Sequence, residues 1–187
     1  MEKKLIRKQI LKIRDELDKD IKKNMDRKIE EKFMNSIEYK NAKKIFIYIS
    51  YKSEINTKSI ILKMLGDEKE IYVPRTDIKS KCMDAVKINS FDNLVEDVYG
   101  ILEPSFKEKS IDPNELDLIV VPGVAFDRKL SRLGYGAGYY DKYFKTITKR
   151  NISKVALAYN FQIIDEVPID KYDVPVDCIL TNDNEIR

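Results

Sequence analysis

Three short apolar runs constrain the fold of this chain more than any other feature. Ile45–Ile49 (IFIYI), Leu116–Gly123 (LDLIVVPG) and Val155–Tyr159 (VALAY) are continuously or almost continuously apolar. A strand with one wet face alternates apolar and polar residues, whereas a strand apolar at successive positions needs cover on both faces. Further strands are expected at Ile71–Pro74, across Cys82–Ile88 and near Cys178–Thr181, with a short segment around Phe91–Val95. Helical patterns fall between them. Asn56 or Thr57 can cap a helix carrying Ile60, Ile61, Met64 and Leu65, and a glycine-rich turn leads into a helix from about Ala137 to Ile147. Strands alternating with helices in this way predict a three-layer α/β/α sandwich with a mainly parallel central sheet.

The first 40 residues read as an N-terminal helical pair. Ile6, Ile10, Ile13 and Leu17 keep the 3–4 spacing of one helical face, and Ile21, Met25, Ile29, Phe33 and Ile37 form a second stripe. Lys3, Arg7 and Arg14 fall within roughly 40° of one another on the first helix and can face one object together. Most such alignments are only solvated faces. No repeat, low-complexity tract or linker divides the chain; the polar stretch Ser105–Asn114 is the weakest candidate boundary, and residues 1–187 read as a single domain.

Composition narrows the chemistry. The 187 residues include no histidine, so Ser-His-Asp and Cys-His catalysis, His-ligated zinc and an imidazole base are excluded within this chain. Cys82 and Cys178 are far apart and form no CxxC motif. Chemistry here must rest on carboxylates, Lys, Arg, Tyr, backbone amides or a borrowed metal and cofactor. No run of 18 apolar residues and no signal-peptide block is present, which predicts a soluble, cytoplasmic protein without a membrane partner. The net charge of +3 is concentrated at the start: residues 1–44 carry 15 Lys+Arg against 9 Asp+Glu. That excess suits either a solvated helical surface or contact with phosphate or nucleic acid.

The densest signal is RLGYGAGYYDKYF, Arg132 to Phe144. Gly134, Gly136 and Gly138 alternate and run directly into a helix, where glycine lets backbone N–H groups approach a bulky anion. Arg132 stands where its fork can grip a phosphate from the other side, and Asp141 can share a magnesium ion with the same phosphates. The spacing is neither G-x-G-x-x-G nor a Walker loop, and it also suits a plain strand-to-helix connection with a carboxylate at the helix start.

RLGYGAGYYD resembles the R-L-G-x-G-x-G-Y-Y-D signature of the 5-formyltetrahydrofolate cyclo-ligase family. The likeness extends over almost the whole chain. An early K-x-x-x-R matches Lys3 and Arg7, and IYISYKSEINT, VPRT, MDAV, GILEP, DLIVVPGVAFD and PVDCIL resemble family blocks in the same order. The resemblance implies an ATP- and Mg²⁺-dependent closure of 5-formyltetrahydrofolate to 5,10-methenyltetrahydrofolate with release of ADP and phosphate. The formyl oxygen is phosphorylated and N10 attacks, so no protein nucleophile or imidazole is required. Carried over by motif position, Lys3, Lys4, Arg7, Arg132, Leu133 and the loop Gly134, Tyr135, Gly136, Ala137, Gly138, Tyr139 and Tyr140 would bind ATP. Ile49, Tyr51, Glu54 and loop residues 135–139 would bind the folate, with Glu54 accepting from the pterin. Arg132 and Tyr139 would act in catalysis, and Asp141 and Asp177 would hold magnesium. Arg75 and Glu103, near strand ends, are secondary candidates, and Arg14, which has no family match, is assigned to the surface.

Three departures from the signature leave affinity open: Ala137 replaces a common Gly, Lys142 a common Arg, and Tyr51 a smaller apolar residue. The expected partner is a small molecule rather than nucleic acid, and the expected state is a monomer. Two competing readings make different demands. A sugar-phosphate or CoA-handling enzyme of the same architecture needs neither ATP hydrolysis nor Glu54. A nucleic-acid-binding module calls for an aromatic-basic surface, whereas the Tyr pair here lies inside a glycine loop.

Overall fold

A computed structural model describes residues 2–97, 100–149 and 151–187. Helices α1 (Glu2–Asp15), α2 (Lys19–Asn35) and α3 (Ile37–Asn41) precede strand β1 (Lys44–Ile47). Helix α4 (Thr57–Gly66), β2 (Glu70–Asp77), β3 (Cys82–Ile88), β4 (Leu94–Glu96) and β5 (Leu102–Pro104) follow. The second half holds β6 (Leu118–Val121), β7 (Ala125–Phe126), β8 (Arg132–Leu133), helix α5 (Tyr139–Phe144), β9 (Ser153–Ala158), β10 (Cys178–Thr181) and β11 (Glu185–Ile186).

Seven strands form one sheet in the order β11-β10-β9-β6-β1-β2-β3. The inner five are parallel, and β3 and β11 close the two edges antiparallel. The expected burial of both faces is met residue by residue. Ile45, Ile47, Leu118, Val120, Val155 and Leu157 pack on one side with Ile29 and Phe33 of α2 and Ile60, Ile61 and Met64 of α4. The intervening Phe46, Ile119, Val121, Ala156 and Ala158 pack on the other side with Tyr143 and Phe144 of α5. Each such fully buried large side chain contributes about 1.5–3 kcal/mol. Helix α1 lies apart, with Ile10 against Val124, Ala125, Leu133 and Val167. No described helix is long and apolar enough to cross a membrane.

Local signals set the boundaries. The Asp18 side chain accepts from Asp20 N and Ile21 N to cap α2, and Asn56 accepts from Ser59 N to cap α4, caps that each contribute about 1 kcal/mol. Ser36 ends α2 and caps α3, so Ile37 does not extend the stripe of α2 and is exposed, as are Ile13 and Ile21. The glycine-turn helix is shorter than the periodicity predicts, six residues rather than a run to Ile147. Ile147 still packs on the same core from irregular chain, which is why its apolar character imitated helix continuation. Strand β2 runs to Asp77, beyond the Pro74 end expected, because β3 pairs with it over seven residues.

Strand order reverses between β1 and β6: from β1 the chain moves outward to β2, and from β6 it moves the other way to β9 and β10. In open α/β sheets the crevice at the carboxyl ends beside such a reversal is where ligands bind.

Candidate active site

A cavity of about 800 Å³ opens at this reversal. Tyr48 and Ile49 enter it from the end of β1, Pro122 from the end of β6, and Pro74 and Thr76 from β2. The segment Arg132–Asp141 lines it, together with Lys3 and Arg7 of α1 and with Tyr51 and Glu54.

The first helix clamps the glycine loop. Arg7 Nε donates to Gly134 O at 2.7 Å. A Cβ at Gly134 would stand 2.9 Å from Arg132 Nη1, and Gly136 has φ +110°, a backbone region that side chains rarely adopt. Ala137 has no positive φ, so its extra methyl fits the backbone. Arg132 is 6% exposed. Its Nη2 donates to Asp141 Oδ1 at 2.7 Å and its Nη1 to Pro122 O at 3.3 Å, while its buried Nε has no partner. Lys3 Nζ bridges Asp170 and Asp173 at 2.8 and 2.7 Å. Burial works against the Lys3 charge, but these two carboxylates outweigh it and raise its pKa. Burial likewise works against the Asp173 carboxylate, yet Lys3 and the Asp170 amide leave its pKa lowered.

Another part of the lining is built around one carboxylate. Glu54 Oε2 accepts from Tyr51 N at 2.9 Å and its Oε1 from the Tyr135 hydroxyl at 2.5 Å. Burial raises the Glu54 pKa, and the hydrogen bonds and the charge of Arg14 only partly offset it. Burial and Glu54 push the Tyr135 hydroxyl well up, so it stays protonated and donates. Arg14 is not a surface residue: it is 6% exposed, donating through Nη1 to Tyr135 Oη at 2.7 Å and through Nε to Ser53 Oγ at 3.0 Å. Its seven-residue offset from Arg7, two helical turns, was the available signal.

Most of the motif residues converge. Ile49, Tyr51, Glu54, Arg132, Leu133, Gly134, Tyr135, Gly136, Ala137, Gly138, Tyr139, Tyr140 and Asp141 all line the cavity with Lys3 and Arg7. Tyr140 does so while stacking on Phe46 at 6.0 Å with its hydroxyl buried and unpartnered. Lys4 does not line it; it is exposed, one helical step away from Lys3. Asp177 is not brought to Asp141. It stands at the start of β10, where Lys154 N and Nζ donate to its carboxylate, while Asp141 is held by Arg132 near the carboxyl end of β6.

The strand-end pair Arg75 and Glu103 also divides. Pro74 and Thr76 face the cavity, so Arg75 between them points away and anchors the next loop through Ser105 O and Glu108 O. Glu103 lines the cavity, accepting from Thr76 N and Oγ1, and burial raises its pKa. Sequence reasoning passed over Asp170 and Asp173; the dense charge of IDKYD was their only mark.

Among the described residues, no group of three His, Cys, Asp or Glu converges as a metal cage. Asp141 beside Arg132 instead suits magnesium, which takes one or two protein carboxylates and fills its sphere with phosphate oxygens and water. Lys3, Arg7 and Arg132 around the glycine loop suit the phosphates themselves.

Comparison with known proteins agrees with this architecture. The model of the 5-formyltetrahydrofolate cyclo-ligase family matches residues 1–182. A 5-formyltetrahydrofolate cyclo-ligase of Haemophilus influenzae is 32% identical over 177 residues, covering 94% of this chain and 95% of the relative. The mouse 5-formyltetrahydrofolate cyclo-ligase is 33% identical over 156 residues, covering 79% and 77%. The solved structure of a 5,10-methenyltetrahydrofolate synthetase from Aquifex aeolicus superposes with TM-score 0.87 at 32% identity, covering 100% of this chain and 93% of that one. One from Mycoplasma pneumoniae gives TM-score 0.77 at 27% identity, covering 97% and 99%. With a shared fold and a family match over residues 1–182, the chain belongs to the 5-formyltetrahydrofolate cyclo-ligase family and is an enzyme of folate metabolism.

Proposed function

We propose that this enzyme converts 5-formyltetrahydrofolate to 5,10-methenyltetrahydrofolate with consumption of ATP and a requirement for Mg²⁺. The observation that carries the reading is one cavity lined both by a carboxylate, Glu54, and by three cations, Lys3, Arg7 and Arg132. Its volume of about 800 Å³ suits ligands of this class. When bound, Mg²⁺-ATP supplies the activation that turns the formyl oxygen into a leaving group.

The chain's own part is to bind, orient and neutralise. Arg132 lines the cavity with its guanidinium already fixed in plane by Pro122 O and Asp141. Fixed donors of this kind neutralise phosphate charge without reorganising during the reaction. Lys3 and Arg7 add charge from α1, and Lys3 exchanges Asp170 and Asp173 for phosphate oxygen. Glu54 accepts from the pterin N–H groups and fixes the ring, so that the formyl-bearing N5 and the attacking N10 face the glycine loop. Tyr139 and Tyr140 border the reacting region, and Asp141 is the metal carboxylate. Orientation of two bound reactants removes the entropic part of the barrier, which is the main contribution a site without a nucleophile can make.

The test is direct. Purified protein with Mg²⁺-ATP and 5-formyltetrahydrofolate should develop the absorbance of the methenyl product. Full conversion without ATP, or none with it, refutes the proposal.

A further inference from the structure

Helix α1 holds the glycine loop at two points. Arg7 binds the carbonyl of Gly134, and two turns further along, about 10 Å, Arg14 binds the side chain of Tyr135. Tyr135 then passes the contact to Glu54, and Ser53, beside Glu54, accepts from Arg14 Nε and donates to Asp15. The Arg14 guanidinium also lies 5.6 Å from the Tyr135 ring centre. One buried cation therefore fixes both the loop that carries Glu54 and the tyrosine that grips it.

The pattern of donors matters. A carboxylate offers two lone-pair positions on each oxygen. Tyr51 N occupies one on Oε2 and Tyr135 Oη one on Oε1. Each oxygen keeps a second position, so the carboxylate is locked in plane and remains able to accept a pair of parallel N–H donors such as a pterin presents.

We propose that Arg14 is a positioning residue for folate recognition, acting through Tyr135 to fix the Glu54 carboxylate and through its charge to keep that carboxylate ionised. This rests on Glu54 being the folate-side acceptor. The groups facing Glu54 are Arg14 from α1, Lys22 from α2, Tyr48 after β1, Tyr135 of the glycine loop, Tyr140 of α5 and Tyr159 after β9. Burial pushes all four tyrosine hydroxyls up, so they stay neutral. Lys22 is committed to Asp26 at 2.7 Å. Lys52 borders the same cavity but is exposed. Arg14 is the buried cation of the set.

Equilibrium binding of 5-formyltetrahydrofolate without ATP, measured across pH, separates this role from packing. Arg14→Gln should weaken binding about tenfold, the loss expected for a charged hydrogen-bond network. It should also move the acid limb of binding to higher pH, because Glu54 becomes harder to ionise, and leave ATP affinity unchanged. Arg14→Lys should restore the acid limb but not the full affinity, since the charge returns without the fork. Tyr135→Phe removes one hydroxyl from a half-exposed ring, so folding is preserved; affinity should fall, and Arg14→Gln should then cost less than in the parent. Wild-type affinity and acid limb in both Arg14→Gln and Tyr135→Phe, or an Arg14→Gln loss uniform across pH, overturn the Arg14 role alone. Absence of folate binding by the unsubstituted chain overturns the functional reading itself.

Discussion

Arg132 Nη2 and Asp141 Oδ1 are 2.7 Å apart, with the arginine side chain 4% exposed and the aspartate 21% exposed. Each is the other's partner, and each is proposed to take a ligand partner in turn, phosphate for Arg132 and magnesium for Asp141. Removing a buried partner leaves an uncompensated charge, so Arg132→Ala mixes a folding defect with a functional one. Arg132→Lys is the cleaner variant. It keeps the charge beside Asp141 but loses the fork, and kcat/KM for ATP should fall about 100-fold, with a small change in Tm. Turnover at the wild-type rate removes Arg132 from phosphate handling.

Magnesium dependence distinguishes the two aspartates that the family resemblance pairs. Asp177 is engaged by Lys154 at 2.9 Å at the amino end of β10, away from the loop. Asp141→Asn should raise the Mg²⁺ concentration for half-maximal activity about tenfold, the loss of one charged ligand interaction. Asp177→Asn should leave that titration unchanged and lower Tm slightly. The reverse pattern in the two titrations refutes the placement of the metal at Asp141.

What could be read in advance follows from which physical signal each residue carries. Ile45–Ile49, Leu116–Gly123 and Val155–Tyr159 were legible because strands covered on both faces leave an apolar record at successive positions. Strands β5, β7, β8 and β11 span two or three residues each, too few for any period to register. The glycine loop was legible through backbone geometry: Gly136 and Gly138 both have positive φ. Arg14 was misread because a cation on a helix looks the same in sequence whether it meets water or Tyr135. Arg75 and Glu103 looked alike as strand-end residues, and only the alternation of β2 turns one away from the cavity. Lys4 and Asp177 are marked in sequence only by the resemblance, and their surroundings, an exposed position on α1 and a contact with Lys154 before β10, become visible only in the structure.

The steric role of Gly134 gives a charge-neutral test of the same loop. A Cβ there would lie 2.9 Å from Arg132 Nη1, and that nitrogen is held by Pro122 O. Gly134→Ala should displace the guanidinium without removing any charge and lower kcat by about 10- to 100-fold, as misplacement by about 1 Å does. Gly136→Ala should instead act through backbone strain at φ +110° and cost about 1–2 kcal/mol of stability. Wild-type kcat in Gly134→Ala refutes the steric argument.

The two cysteines should differ sharply toward a thiol reagent. Cys82 is exposed and Cys178 is buried, with burial pushing its thiol up to about 12. The thiolate is the reacting species, so at pH 8 the native protein should release one equivalent of colour quickly. The second equivalent should appear only on unfolding. Two fast equivalents in the native state show that the core around β10 opens more readily than its packing implies.

Glu54 couples function to stability with opposite signs. Burial raises its pKa above the ordinary 4.5 even with Tyr135, Tyr51 N and Arg14 supporting the charge. A carboxyl with a raised folded-state pKa binds more protons in the native than in the unfolded state between the two values. Folding is therefore favoured as pH falls through the folded-state pKa, and above it the ionised group costs stability. Glu54→Gln removes the charge and keeps an oxygen to accept from Tyr135. At pH 7 it should raise Tm relative to the parent, and the gain should shrink as pH falls toward the unfolded value. The same substitution replaces an acceptor by a donor opposite the pterin N–H groups, so kcat/KM for the folate should drop about 100-fold or more. A thermal-shift series across pH 4–8, run beside the absorbance assay, reads both. A Glu54→Gln protein less stable at pH 7 than at pH 5, relative to the parent, contradicts the burial argument. Undiminished folate turnover contradicts the assignment of Glu54 to the substrate, because a group held ionised at a cost to folding needs a function to account for it.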